Sequence, residues 1–170
     1  MNARKDLVSI SFTVAGEKQL DRRLGILREN VKDLRGVWPD IRDDFVKNQK
    51  QQFKTEGVHG SGYEWTALKP GYAAFKQKNY PGQPILRLTD SLYKSLTEIE
   101  NGDFVYKPGR LGLTMGSKIE YGAYHQTGVA ETFLPRRPPI ELTKAQKSRW
   151  PKLIQEYIFK SWQGFDRVTL

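Results

Sequence analysis

A chain of 170 residues, 38% of them hydrophobic, is long enough to bury one core without metal or disulfide staples, and its mean hydropathy of −0.65 is that of a polar, water-facing protein. The absence of cysteine removes disulfides, thiolate nucleophiles and cysteine zinc sites together. No apolar run approaches the ~20 residues that a membrane-spanning helix needs, and Met1 to Asp6 lacks the apolar core of a signal peptide. The expectation is a single domain that works in a cytoplasm, or in an assembly built there. The formal net charge is +9, unevenly spread: from Lys107 onward there are eleven Lys and Arg against five Asp and Glu, and between Arg136 and Lys152 six basic residues face one acid, Glu141. Such clustering suits either contact with a polyanion, through counterion release, or a solvated basic helix face.

From Leu7 to Val14, apolar residues alternate with polar ones (Val8, Ile10, Phe12, Val14), which predicts a half-buried strand ending at Gly16. Leu20, Leu24, Leu27, Val31 and Leu34 then recur at helical spacing, with Gly36 as the stop. A second stripe, Trp38, Ile41, Phe45 and Phe53, predicts another long helix with Pro39 in its first turn. These side chains are expected in the core or at a subunit contact. Gly57 to Gly62 reads as a flexible loop, in which His59 has no fellow ligand for a metal. Trp65 and Leu68 are expected to anchor on the core, Tyr72 to Lys78 to form a short helix, and Asn79 to Pro84 a turn-rich loop.

Thr89-Asp90 is expected to cap a helix bearing Leu92, Tyr93 and Leu96. Phe104–Tyr106 and Leu111–Met115 predict two strands about the turn at Lys107 to Arg110, with Leu111, Leu113 and Met115 on one covered face. The proline-rich run from Leu134 to Pro139 continues neither a central strand nor a helix. Thr143 and Gln146 form a capping-box signature for a last helix, with Leu153, Ile154, Tyr157, Ile158 and Trp162 as its apolar face and Pro151 expected to interrupt or restart it. The sum is an α+β domain, a small antiparallel sheet packed on long amphipathic helices. It divides into 1–60 (strand plus helices), 61–142 and a C-terminal basic helix in 143–170.

The segment from Tyr121 to Gly128 gathers Tyr121, Tyr124, His125 and Gln126 within six residues, and it is where catalysis would most naturally sit. Ser117, His125 and Glu120 supply the parts of a triad, but no Gly-x-Ser-x-Gly elbow accompanies them. Two separated histidines with scattered acids do not make a three-ligand metal site. Neither a phosphate-binding Gly-x-x-x-x-Gly-Lys-Ser/Thr loop nor a Gly-x-Gly-x-x-Gly turn occurs. No enzyme activity and no cofactor are expected.

The order of motifs carries more. Trp65-Thr66-Ala67-Leu68, then Lys76, then Ile85-Leu86-Arg87-Leu88-Thr89-Asp90-Ser91-Leu92-Tyr93-Lys94-Ser95-Leu96 precede Gly116-Ser117 and Tyr121 to Gly128, and Pro135-Arg136-Arg137-Pro138 follows. This series resembles the phage virion morphogenesis and tail-completion family. Members carry a Trp-x-x-Leu element, a lysine, Ile-Leu-x-x-Thr-Gly-x-Leu-x-x-Ser-Leu, Gly-Ser, Tyr-Ala-x-x-His-Gln-x-Gly and Pro-x-Arg-Pro. The resemblance spans Trp65 to about Leu142. Three positions depart from it: Asp90 stands where glycine is common, Gly122 separates Tyr121 from Ala123, and Pro139 replaces a phenylalanine.

The resemblance implies a structural virion protein of a tailed phage, assembled in the host cytoplasm, that completes the tail and joins it to the head as copies in a ring. It further implies neck, connector or tail-tube proteins as partners, with packaged DNA in the lumen. On this reading Tyr121, Tyr124, His125, Gln126, Arg136 and Arg137 meet a neighbouring subunit or partner, while His125 satisfied locally by backbone is the plainer alternative. Lys144, Lys147, Arg149 and Lys152 face DNA or solvent. A tail terminator or neck adaptor ring is the nearest alternative function, and a basic protein that binds nucleic acid without sequence preference is the alternative of another class.

Overall fold

The computed structural model describes residues 17–160, so the strand expected at Leu7–Val14 and the side chain of Trp162 lie outside the described residues. The order of elements is α1 (Glu17–Lys32), α2 (Trp38–Lys54), α3 (Val58–Ser61), α4 (Pro70–Asn79), α5 (Ser91–Thr97), β1 (Phe104–Pro108), β2 (Leu113–Ser117), α6 (Tyr121–Thr127) and α7 (Lys144–Phe159). This is the α+β arrangement expected, with helices dominant and one antiparallel hairpin, β1–β2.

The long helix α2 organises the core because its apolar stripe meets two clusters in turn. At its start Val37, Trp38 and Ile41 pack with Leu34, Leu113, Leu153, Ile154 and Tyr157. Further along, Phe45, Val46 and Phe53 join Trp65, Leu92, Leu96 and Phe104. The Phe53 ring meets Trp65 and Tyr93 edge-on, with centroids 5.5 and 5.4 Å away, the geometry aromatic quadrupoles favour. In the hairpin, Tyr106 pairs with Met115, and both pack with Leu113 on the face turned to the helices, while Pro108, the partner of Leu113, is exposed. Leu111 departs from its expected place: it precedes β2 and is 67% exposed. The hairpin tip is tied back to the α1–α2 connection, where Leu34 N–H donates to the Arg110 carbonyl (2.7 Å) and Trp38 Nε1–H to that of Gly109 (2.7 Å).

Local chemistry sets several boundaries. Thr143 and Gln146 make the expected capping box at the start of α7: the Thr143 hydroxyl accepts from Gln146 N–H, and the Gln146 side chain accepts from Thr143 N–H. Pro151 does not interrupt α7; it sits inside a continuous helix, whose packing against α1 and α2 outweighs the hydrogen bond lost there. The glycine-rich 57–62 stretch is a turn of helix rather than an open loop, bounded by left-handed Gly57 (φ 103°) and Gly62 (φ 81°). Asp90 precedes α5 as expected, but its side chain does not cap the helix; it takes both forks of Arg87 at 2.8 Å. Its φ of 60° lies in the left-handed region, which accounts for the glycine common at the matching position of the resembled family.

One buried acid joins the last helix to the core. Asp44 is only 5% exposed and accepts from Arg149 Nη1 (2.6 Å) and from Trp150 Nε1 (2.8 Å). Asp44→Ala is expected to strand the Trp150 donor and lower stability by about 1–3 kcal/mol in chemical denaturation. An unchanged midpoint would contradict this role.

Candidate functional site: a basic, aromatic-rimmed cleft

The motifs read from the sequence converge on one cleft of about 560 Å³. It lies among α4, the 86–89 stretch, α6 and the 132–137 stretch, and is lined by Leu68, Tyr72, Leu86, Tyr121, Phe133 and Leu134 together with Lys69, Lys76, Arg87, His125 and Arg137. Five basic or imidazole side chains thus line a largely apolar wall, and among the described residues no Asp or Glu does. Phe133 is 79% exposed at the mouth, where Lys69 Nζ stands 5.9 Å from its ring centroid.

Backbone strain concentrates here. Four non-glycine residues among those described have positive φ, and two of them, Leu86 (62°) and Phe133 (53°), line the cleft, while Asp90 pairs with a third lining residue, Arg87. Such conformations cost about 1–3 kcal/mol each and persist where surrounding structure enforces them. The Arg87 guanidinium carbon lies over Tyr93, 4.0 Å from the ring centroid, and the Arg87 forks hold the Asp90 carboxyl below its ordinary value. Lys76, the lysine of the motif series, is buried and donates to the Pro84 carbonyl; burial pushes its ammonium below the usual value, against the opposing pull of Glu56 and Asp90.

Helix α6 is bound to the proline-rich segment by reciprocal bonds. Gln126 Nε2–H donates to the Ile140 carbonyl (2.8 Å), and its Oε1 accepts from Ile140 N–H (3.1 Å). Arg137 N–H donates to the His125 carbonyl (2.8 Å) and Arg136 Nε–H to that of Gln126 (3.1 Å). Gly128 makes the approach possible: its φ is 74° and ψ 165°, and a Cβ there would lie 3.0 Å from Arg136 N and 3.1 Å from the Leu134 carbonyl oxygen. Gly122 faces the neighbouring helix, where a Cβ would come within 2.9 Å of Leu92 Cδ1.

The expected contact residues therefore divide. Tyr124 (56% exposed), Tyr121 (43%) and Arg136 present themselves at the surface. Tyr121 is tethered as well, its hydroxyl accepting from Leu92 N–H at 3.2 Å. Gln126 spends its amide on Ile140. Arg137 does not fit the expectation of a free partner contact: it is 5% exposed and donates from Nε to the Thr66 carbonyl (2.6 Å) and from Nη2 to that of Ala67 (2.9 Å). It braces the Trp-x-x-Leu element from inside. His125 is half-buried, its Nδ1 is enclosed with no hydrogen-bond partner, and burial, reinforced by the Arg137 charge, holds the imidazole below its ordinary value. The alternative of an imidazole satisfied by backbone is therefore not met at Nδ1. Lys144, Lys147, Arg149 and Lys152 are all exposed on α7, fanned over roughly 200° of its circumference rather than along one line.

Among the described residues Ser117, His125 and Glu120 make no hydrogen bond to one another. The Ser117 hydroxyl is engaged by Ser95 Oγ (2.7 Å) and by Ile119 N–H (3.0 Å), away from His125. Lys69, Tyr72, Arg87 and Phe133 were not singled out as site residues from the sequence, since a lone lysine or exposed aromatic carries no signal until the fold brings it beside others.

The described residues thus form a cation-lined, largely apolar cleft with exposed aromatic rings at its mouth. The family model of the phage virion morphogenesis family matches residues 16–158, and the chain belongs to that family. The match reaches well beyond the Trp65–Leu142 span of the motifs and takes in α1 and α2. No curated protein and no solved structure matches the chain. Its role is structural, in the building of a phage virion.

Two outcomes follow. Gly128→Ala, which forces a Cβ against the 134–136 backbone in a conformation kept almost wholly to glycine, is expected to cost about 1–3 kcal/mol or more, read as a fall in the denaturation midpoint. His125 has a folded-state pKa below its unfolded value near 6.5, so the unfolded chain binds the proton more readily and stability falls as pH drops below about 6.5. His125→Asn is expected to flatten that part of the Tm-against-pH curve between pH 7 and 5, and an unaltered slope would contradict it.

Proposed function

We propose that this chain completes the tail of a tailed phage and joins it to the head, acting in the virion as one subunit of a ring at the neck. The observation that supports this most directly is the placing of the family's motifs: they build a preformed, partly strained surface cleft with exposed Tyr121, Tyr124 and Phe133. Exposed aromatics around an apolar centre are the composition of interface anchors. A second apolar surface lies elsewhere, on α1, where Leu20, Leu24 and Val31 share one face and are each more than 40% exposed. Two unlike surfaces are what a head-to-tail ring requires, because each copy presents a different patch to each neighbour. Neck, connector or tail-tube proteins are the partners in this reading, and the basic side chains of α7 meet DNA in the lumen through its backbone.

Deletion of the gene, followed by electron microscopy of the particles, tests the assignment. Separate DNA-filled heads and finished-length tails are expected. Normal infectious virions would refute the role, and over-length tails would assign the chain to a tail terminator instead. The basic-protein alternative makes its own demand: the isolated monomer would bind DNA with an affinity that falls steeply with salt.

A further inference from the structure

The cleft has a counterpart on the same molecule. Helix α5 has its start at the cleft, next to Arg87 and Thr89, and its other end opens into the turn Glu98-Ile99-Glu100-Asn101-Gly102-Asp103. Three of these six residues are acidic and none is basic. Among the described residues none of the three carboxylates forms an ion pair, and Ile99 is 38% exposed between the two glutamates. The turn is preshaped: Asn101 N–H donates to the Glu98 carbonyl (3.1 Å), Asp103 N–H to Asn101 Oδ1 (2.9 Å), and Phe104 N–H to the Asn101 carbonyl (2.9 Å). Little ordering entropy would be lost on docking it.

The cleft shows the inverse pattern. Its wall is apolar, it carries Lys69, Lys76, Arg87 and Arg137 with no acid, and neither Lys69 nor Arg137 has a carboxylate within ion-pair distance among the described residues. Buried Arg137 holds its charge against a desolvation that lowers its pKa. A carboxylate arriving at the cleft mouth would meet exposed Lys69, and an aliphatic side chain would fill the space beside Phe133 and Tyr72.

We propose that the occupant of this cleft is a second copy of the chain, whose Glu98-Ile99-Glu100 turn inserts Ile99 between Phe133 and Tyr72 with the glutamates against the basic wall. Turn and cleft lie at opposite ends of α5, so one molecule cannot satisfy itself, and the contact runs head to tail from copy to copy. The assignment rests on the ring reading above and specifies which surfaces would form it.

The lack of native cysteine makes the test direct. Ile99→Cys and Phe133→Cys are made as separate proteins, both at exposed positions, and treated with a short bismaleimide alone and in a 1:1 mixture. The mixture is expected to give crosslinked dimer at least several-fold faster than either protein alone. Glu98→Lys with Glu100→Lys on the first protein should abolish the excess, and Lys69→Glu on the second should restore part of it. No excess of mixed product over the separate proteins, with both variants folded by circular dichroism, would overturn the contact. Such a result leaves the virion role standing if mass spectrometry still finds the chain in purified particles. Particles that lack the chain would count against the neck assignment itself.

Discussion

The fold depends on how a buried proline-rich segment has its carbonyls satisfied. Pro135, Pro138 and Pro139 offer no N–H, so the 135–140 stretch cannot join a regular ladder, and its oxygens still need donors. The Pro138 carbonyl accepts from Gln52 Nε2 (3.3 Å) and Trp65 Nε1 (3.2 Å), two side chains that are themselves buried. Gln126 supplies Ile140, while Arg137 returns the favour to the Thr66 and Ala67 carbonyls. Elements distant in the chain (α2, the stretch after α3, α6 and the proline run) are thus held by side chain-to-backbone bonds rather than by a sheet. Removing Gln126, for example, leaves the half-buried Ile140 N–H and carbonyl both without this partner, so these residues act together.

That arrangement explains what kind of surface the chain presents. A rigid seat for α6 and the 132–137 stretch fixes Tyr121, Tyr124 and Phe133 in the open, at a strained backbone position in the case of Phe133. Rings held in place before binding lose less freedom on contact than mobile ones do.

Much of this was legible in the sequence, because the long-period signals are local. The stripe of α2, the Thr143–Gln146 box and the alternation in the hairpin each follow from spacing alone. The family resemblance, too, stood on ordered motifs. What spacing could not show was the sense in which polar residues were used. Arg137 reads as a surface cation in a basic run, yet it is inside, because two exposed-looking carbonyls at Thr66 and Ala67 come to meet it from 70 residues away. Asp90 reads as a cap, but a left-handed backbone turns it toward Arg87. Pro151 reads as a helix breaker, and tertiary packing carries the helix through it. The cleft itself was invisible for the same reason: its basic and aromatic lining comes from four stretches that only the fold assembles.

Helix α1 packs chiefly on α7, with Asn30 Nδ2 reaching the Tyr157 and Ile158 carbonyls (3.4 and 3.3 Å), whereas the cleft stands at the other end of the long α2 axis. The two apolar surfaces therefore share no side chain. Substitutions on one combine additively with substitutions on the other. Each surface is thereby free to vary in sequence without disturbing the other; in the ring proposed above, a virus lineage could change the neighbour on one side while the opposite fit is inherited intact.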